Sequence, residues 1–274
     1  MIDAHFHIWQ LARQDYGWLT PALAPIYRNV TVDDWQREST PCGIRGGILV
    51  QAAPTEAETA FLLRAAGDND AVLGVVGWVD MQVSDAASRV ERLARHAKLK
   101  GLRPMLQDMA DPDWILQPAV QPALQAMAAC NLSLDALVKP VHLPCILQLV
   151  DRHPSLRIVI DHGAKPAIAS PGDCGPGSDW ERGLQALASG TNVFCKLSGL
   201  WTEAGSGAGV ESTRSCAQQI LSMFGSQRVL WGSDWPVLEL AGGYADWHGF
   251  ASSMVDPALR ADVFEASARR AYRL

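Results

Sequence analysis

The chain has 274 residues, with 23 Lys plus Arg against 29 Asp plus Glu, a formal net charge of -6. Its hydrophobic fraction of 48% and charged fraction of 19% supply a large core and exclude a disordered chain. The acidic balance argues against nucleic acid and against anionic membrane surfaces as partners. No apolar run approaches the roughly 20 residues needed to span a bilayer. The opening MIDAHFHIWQ lacks a basic region followed by an apolar stretch. The expectation is a cytoplasmic protein without a targeting segment. Six scattered cysteines (Cys42, Cys130, Cys145, Cys174, Cys195 and Cys216) form no close pair and read as free thiols in a reducing compartment.

Short apolar runs alternate with stretches of helical character along the whole chain. The runs are 2–8 (IDAHFHI), 47–52 (GILVQA), 72–79 (VLGVVGWV), 100–103 (KGLR), 132–138 (LSLDALV), 157–161 (RIVID), 192–197 (NVFCKL) and 228–232 (RVLWG). Most are nearly unbroken in Val, Ile and Leu, as strands buried on both faces are. Helices are predicted over 33–39, 55–66, 84–98, 118–129, 144–152, 178–187, 211–224 and 257–272. The second opens with Thr55 and carries Glu58 three residues on, a capping-box pattern. The third places Val90, Leu93 and Ala97 on one face. Eight strands each followed by a helix predict an α/β fold, a single-domain (β/α)8 TIM barrel over residues 1–274. The alternative, an open doubly wound sheet, lacks a G-x-G-x-x-G loop after the first strand. The Gly/Pro/Ser-rich segments 167–178 and 204–209 read as loops at the barrel mouth.

Chemistry in this fold sits at the C-terminal ends of the strands. The first run ends in His5 and His7, which strand alternation places on one face about 7 Å apart. Alternation puts Ile2, Ala4, Phe6 and Ile8 on the opposite face, packed on the helix ring. The pair can reach one metal ion or one substrate oxygen. Other strand ends bring Gln51, Trp78, Arg103, His142 after the fifth run, Asp161 with His162, Lys196 with Ser198, and Asp234. Taken singly, each has an ordinary structural reading: Asp161 as a loop cap, Lys196 as a solvated end, Trp78 as a packing aromatic. Their convergence on one rim favours a site, because unpaired buried charges are costly.

With these residues in place the chain resembles the amidohydrolase superfamily, in its lactone-hydrolysing group. The matching stretches are IDAHFHIW at 2–9, GLRPMLQD at 101–108, DPDW at 111–114, KPVHLP at 139–144, IDHGAKP at 160–166, KLSGLWTEA at 196–204 and FGSQRVLWGSDWPV at 224–237. The resemblance implies a barrel in which His5 and His7 face the reacting carbonyl and His162 completes the site. It makes Asp234 the general base that activates water, and Arg103 a substrate anchor. Some relatives bind one zinc and some need none. The expected cofactor is one divalent metal, Zn2+, on His5, His7 and Asp234, with His162 or His142 as a fourth ligand and an open position for water. Arg103 on the fourth strand argues against a two-metal centre.

Asp234 would take the proton from water, while His5, His7 and His162 polarise the carbonyl as donors or by holding the metal. Gln51 and Trp78 are expected to line the pocket, and His142 and Lys196 to contact substrate. A dianionic lactone would want two or more arginine forks. The strand ends offer one, and Tyr16, Trp18 and Trp201 add flat faces suited to sugar C–H surfaces. The expected substrate is therefore a small neutral sugar-acid lactone. The alternatives are an aromatic-degradation lactone, a metal-dependent decarboxylation, or a non-catalytic ligand-binding barrel.

Overall fold

The computed structural model describes residues 1–169, 175–189, 192–205 and 210–274. Cys174 and the inner parts of the two Gly/Pro/Ser-rich segments lie outside the described residues. The other five cysteines are free thiols.

Eight parallel strands follow one another in space in chain order. They are β1 (Ile2–Phe6), β2 (Gly46–Val50), β3 (Val72–Gly77), β4 (Leu99–Leu102), β5 (Ser133–Ala136), β6 (Arg157–Ile160), β7 (Val193–Leu197) and β8 (Val229–Trp231). All eight apolar runs are strands, and the architecture is the expected (β/α)8 barrel. The helices outside are α1 (Val32–Ser39), α2 (Glu56–Gly67), α3 (Ala86–Leu93), α4 (Gln121–Ala129), α5 (Leu143–Arg152), α6 (Asp179–Ala188), α7 (Leu200–Ala204), α8 (Val210–Phe224), α9 (Tyr244–Met254) and α10 (Ser267–Tyr272). Among the described residues no helix is long and apolar enough to cross a membrane.

The helix expectations hold in position and need correction at their ends. Thr55 caps α2 by accepting from Glu58 N, but the Glu58 carboxylate turns to Ala52 N and Ala53 N instead of closing the box. The third helix stops at Leu93, leaving Ala97 outside it. The stretch 257–272 is not one helix. It breaks into a 3-10 turn (Pro257–Leu259), a π-turn (Asp262–Ala266) and α10. Helices α7 and α9 were not expected.

The strict alternation predicted for β1 fails, and the failure builds the site. Asp3 pairs with Gly47 and Phe6 with Leu49, so β1 carries one extra residue between them, a bulge. Below it, Ile2 and Ala4 join Ile48, Val50, Val76, Val159, Phe194 and Leu230 in the cluster that fills the barrel interior. Above it, Phe6 and Ile8 pack outward with the helices. The bulge thus lets His5 follow Ala4 inward, and Asp3 faces the helix ring.

The floor of the barrel is closed by α10, which sets Ala268, Ala271 and Tyr272 against the interior cluster. Tyr272 is buried, and its hydroxyl donates to Asp135 Oδ2 at 2.7 Å. Gly101 lets β4 lie close against β5, since a Cβ there would stand 2.7 Å from Ser133 O. Replacing Tyr272 with Ala opens a cavity under the site, and urea denaturation should show a loss of about 3–5 kcal/mol.

Candidate active site

At the carboxyl ends of the strands, four side chains from β1 and the loops after β6 and β8 meet. His5 Nε2 and His7 Nε2 are 3.1 Å apart. Asp234 Oδ1 lies 3.3 Å from His7 Nε2, 3.5 Å from His5 Nε2 and 3.8 Å from His162 Nε2. All four residues are buried. The backbone that presents two of them is strained. His162, Gly163, Ala164 and Lys165 form four consecutive left-handed residues, and Asp234 has φ +58°. Runs of this conformation are costly and persist where packing holds them. Gly199 makes room for this turn: at φ +65°, a Cβ there would stand 2.6 Å from His162 Nδ1.

Below these four lies a charge network. Lys196 Nζ is 2.6 Å from Asp135 Oδ2, 2.8 Å from Asp161 Oδ1 and 3.0 Å from His5 Nδ1. Arg103 reaches Asp161 Oδ2 at 3.1 Å with one nitrogen and the carbonyl of Gln51 with another. Gln51 in turn donates to Arg103 O at 2.9 Å. A lysine nitrogen only donates. His5 Nδ1 is therefore the acceptor, and the proton of the neutral ring sits on Nε2, pointing at His7. His7 Nδ1 donates to Val50 O at 2.8 Å, and its Nε2 faces Asp234 Oδ1 at 3.3 Å. His162 Nδ1 is held by Ser198 Oγ at 2.9 Å.

Burial drives the protonation states. It pushes His5 well below the ordinary histidine value, helped by the Lys196 charge. It lowers His162 to about 4. Burial pushes Asp234 up, but the surrounding histidines, His162 foremost with His7 and His5, outweigh it and hold the carboxyl well below the usual range. For Asp161 the burial effect is likewise outweighed, by Lys196 and His5, and its carboxyl is held well below the usual range. At neutral pH the site presents the neutral rings of His5 and His162 beside an ionised carboxylate.

The residues present fit a single divalent cation. His5, His7 and Asp234 each offer one ligand atom within 4.8 Å of the others, His5 through Nε2 once its proton moves to Nδ1, which faces Asp161 Oδ1 at 3.6 Å. His7 Nε2 and an Asp234 carboxylate oxygen face each other at 3.3 Å, an arrangement that a shared cation or proton satisfies. The Val50 carbonyl on the far nitrogen of His7 is the usual outer support of a ligating imidazole.

The site opens on a cavity of about 270 Å³, near the small end of the range for drug-sized ligands, about 300–1,000 Å³. Its wall includes His7, Trp18, Arg103, Gln107, His162 and Asp234, with Asp108 and Lys165 at its rim. Arg103 Nε and Gln107 Oε1 are buried in this wall without partners, one donor and one acceptor.

Several expected contacts are placed elsewhere. Lys196 is fully buried beneath His5, which it supports, and is not among the residues that line the cavity. Gln51 is buried as the partner of Arg103, and its neighbour Ala52 lines the cavity. Trp78 has its backbone tied to the Thr59 hydroxyl and lies outside the wall. His142 turns Nδ1 to the backbone of Lys139 and is not part of the His5, His7 and Asp234 group. Trp201 packs on Trp247 and Phe250. Arg28 pairs with Glu239 and Arg182 with Asp179, so neither adds a second fork to the site. The residues that sequence reasoning missed are Asp135, Lys165 and Asp3. A carboxylate inside an unbroken apolar strand run was the signal for Asp3 and Asp135.

The amidohydrolase family model matches residues 2–274. The chain belongs to this family. It is similar to a protein named L-fucono-1,5-lactonase from Burkholderia ambifaria, 43% identical over 280 residues covering all of this chain and 95% of the relative. A second protein of that name, from Burkholderia multivorans, is 34% identical and matches all of this chain and 96% of its own length. A crystal structure of an amidohydrolase from Burkholderia multivorans with bound zinc superposes with a TM-score of 0.92 at 33% identity, covering all of this chain and 99% of that one. The chain is thus a hydrolytic enzyme, and its His/Asp cluster falls in a family in which a solved relative holds zinc.

The buried neutral His162 links stability to pH. The unfolded chain protonates this imidazole below about 6.5, while the folded chain resists until about 4. Stability is thus fully present above the first value and is lost as pH falls toward the second. In metal-free protein, urea midpoints measured between these values should fall with acid. The loss should be smaller in His162→Gln, by about 3 kcal/mol at most over the window.

Proposed function

We propose that this enzyme hydrolyses a sugar-acid 1,5-lactone of the L-fucono-1,5-lactone type, with Asp234 as general base. The observation that carries the reading is the Asp234 carboxylate itself, ringed by three imidazole nitrogens at 3.3 to 3.8 Å in the wall of a small cavity. Two relatives bearing that lactonase name, matched over the full chain, support it.

Hydrolysis needs a base for water, a polarised carbonyl and a proton for the leaving oxygen. Asp234, held ionised, accepts a proton from water as the oxygen attacks the lactone carbonyl. The negative charge that develops on the carbonyl oxygen is met by the inward N–H of His5, whose tautomer Lys196 sets. The tetrahedral centre collapses by breaking the bond to the ring oxygen. Asp234, now a carboxylic acid, returns its proton to that oxygen, giving a hydroxy acid that ionises in solvent. As the alternative to that N–H, His5, His7 and Asp234 would hold one divalent ion, proposed to be zinc, with the His5 proton moved to Nδ1; its chemistry when bound is Lewis-acid polarisation of the carbonyl. The open donor of Arg103 and open acceptor of Gln107 suit the hydroxyl groups of a sugar ring. One arginine in the wall, with Asp108 beside it, disfavours a dianionic lactone.

Replacing Asp234 with Asn should lower kcat on L-fucono-1,5-lactone by about 10²–10⁴-fold while the circular dichroism spectrum is unchanged. Native turnover in that variant would remove Asp234 as the base. Chelator-stripped protein titrated with Zn2+ is expected to bind one equivalent. Asp234→Asn should weaken that binding by about tenfold or more, read by calorimetry.

A further inference from the structure

Strands β1 to β7 each pair with the next in a ladder, but β8 and β1 close the barrel differently. Among the described residues they share one bridge, Phe6 with Trp235, and two backbone bonds, His7 N to Trp235 O and Asp234 N to His5 O. The metal-competent cluster straddles this seam, with His5 and His7 on one side and Asp234 on the other.

Directly below the seam sits Asp3, fully buried on the outer face of β1. Its Oδ1 accepts from His5 N at 3.1 Å and Ser233 N at 2.8 Å. Its Oδ2 accepts from Ser233 Oγ at 2.6 Å, Tyr244 OH at 2.9 Å and Trp35 Nε1 at 3.0 Å. One carboxylate therefore grips the backbone of His5 and both the backbone and side chain of Ser233, the residue before Asp234. Trp35 on α1 and Tyr244 on α9 fix it from outside. No cation accompanies it in these bonds, so its partners are dipoles aimed from both strands.

We propose that Asp3 is a positioning residue, a carboxylate clamp that stands in for the missing β1–β8 ladder and sets the distance between the histidine pair and Asp234. Because His5 and Asp234 each lie beside a residue the clamp holds, a slip at Asp3 passes straight to the reacting geometry. Trp35 touches the clamp only from the helix side, which separates spacing from stability. Trp35→Phe keeps the stack on Phe6, whose ring lies 4.0 Å away, and removes a single outer bond.

Asp3→Asn replaces one accepting oxygen with a donor that Trp35 N–H cannot satisfy, and the clamp should loosen. Its kcat for lactone hydrolysis is expected to fall by about 10–100-fold with KM within about twofold of wild type. In its crystal structure the His5 Nε2 to Asp234 Oδ1 separation, 3.5 Å here, should widen by more than about 0.5 Å. Trp35→Phe should lose thermal stability yet keep kcat within about twofold. An Asn variant with native kcat or an unchanged separation overturns the proposal, as does a Trp35→Phe variant that loses as much turnover. If Asp3→Asn does not fold, Ser233→Ala, which removes the 2.6 Å bond to Asp3 together with the hydroxyl's bonds to His5 O and from Trp235 N, takes its place in both measurements. The kinetic arm rests on the lactonase reading. A wild type inert toward lactones would overturn that reading, and the crystallographic separation would still decide the clamp.

Discussion

One buried ammonium underlies the site. Lys196 stands between Asp135 and Asp161, and Arg103 shares Asp161. The two cations and two carboxylates balance, which is what permits them inside a barrel at all. Each charge taken from water costs several kcal/mol, and the cost is recovered only with close partners on every side. The four come from or directly follow four successive strands, β4 to β7, so their attraction also ties those strands across the barrel interior. Removing any one member would leave its partner charged and buried, a larger penalty than the lost pair itself.

The network transmits order along the barrel axis. Tyr272 plugs the floor and donates to Asp135, Asp135 meets Lys196, Lys196 donates to His5, and His5 points at His7 and Asp234. The contacts from Tyr272 up to His7 fall between 2.6 and 3.1 Å, and His5 to Asp234 is 3.5 Å. The C-terminal helix at one end of the barrel is therefore linked to the chemistry at the other by fixed hydrogen bonds. At the mouth the backbone holds His162 and Asp234 in left-handed conformations, strain that surrounding packing must sustain. A rigid floor and a strained rim together give a cluster whose nitrogens and oxygen are spaced for one proton or one cation.

Much of this was readable in the chain. The eight apolar runs became eight strands because a parallel strand buried on both faces must be apolar almost throughout. His5, His7, His162, Arg103 and Asp234 met at one rim because strand ends converge in a closed barrel. The misreadings share one cause. Lys196, Gln51 and His142 sit at strand ends like the others, but whether such a side chain faces the cavity or its neighbours depends on what stands beside it in space. Lys196 found two carboxylates, Gln51 found Arg103, and His142 found the backbone of its own turn. Trp78 also follows a strand, but its backbone is tied to the Thr59 hydroxyl, and Trp201 carried no positional signal beyond its size.

Periodicity, composition and the order of polar residues after each apolar run determined the architecture, the rim and the kinds of group gathered there. These are local or additive properties, and a linear string carries them. Only the folded chain decided the bulge in β1, the tautomer of His5 and the carboxylate of Asp3 lying across the last seam. Each depends on one extra residue or one hydrogen bond between strands distant in sequence. A shift of a single residue reverses which face a side chain takes, and alternation alone holds no record of it.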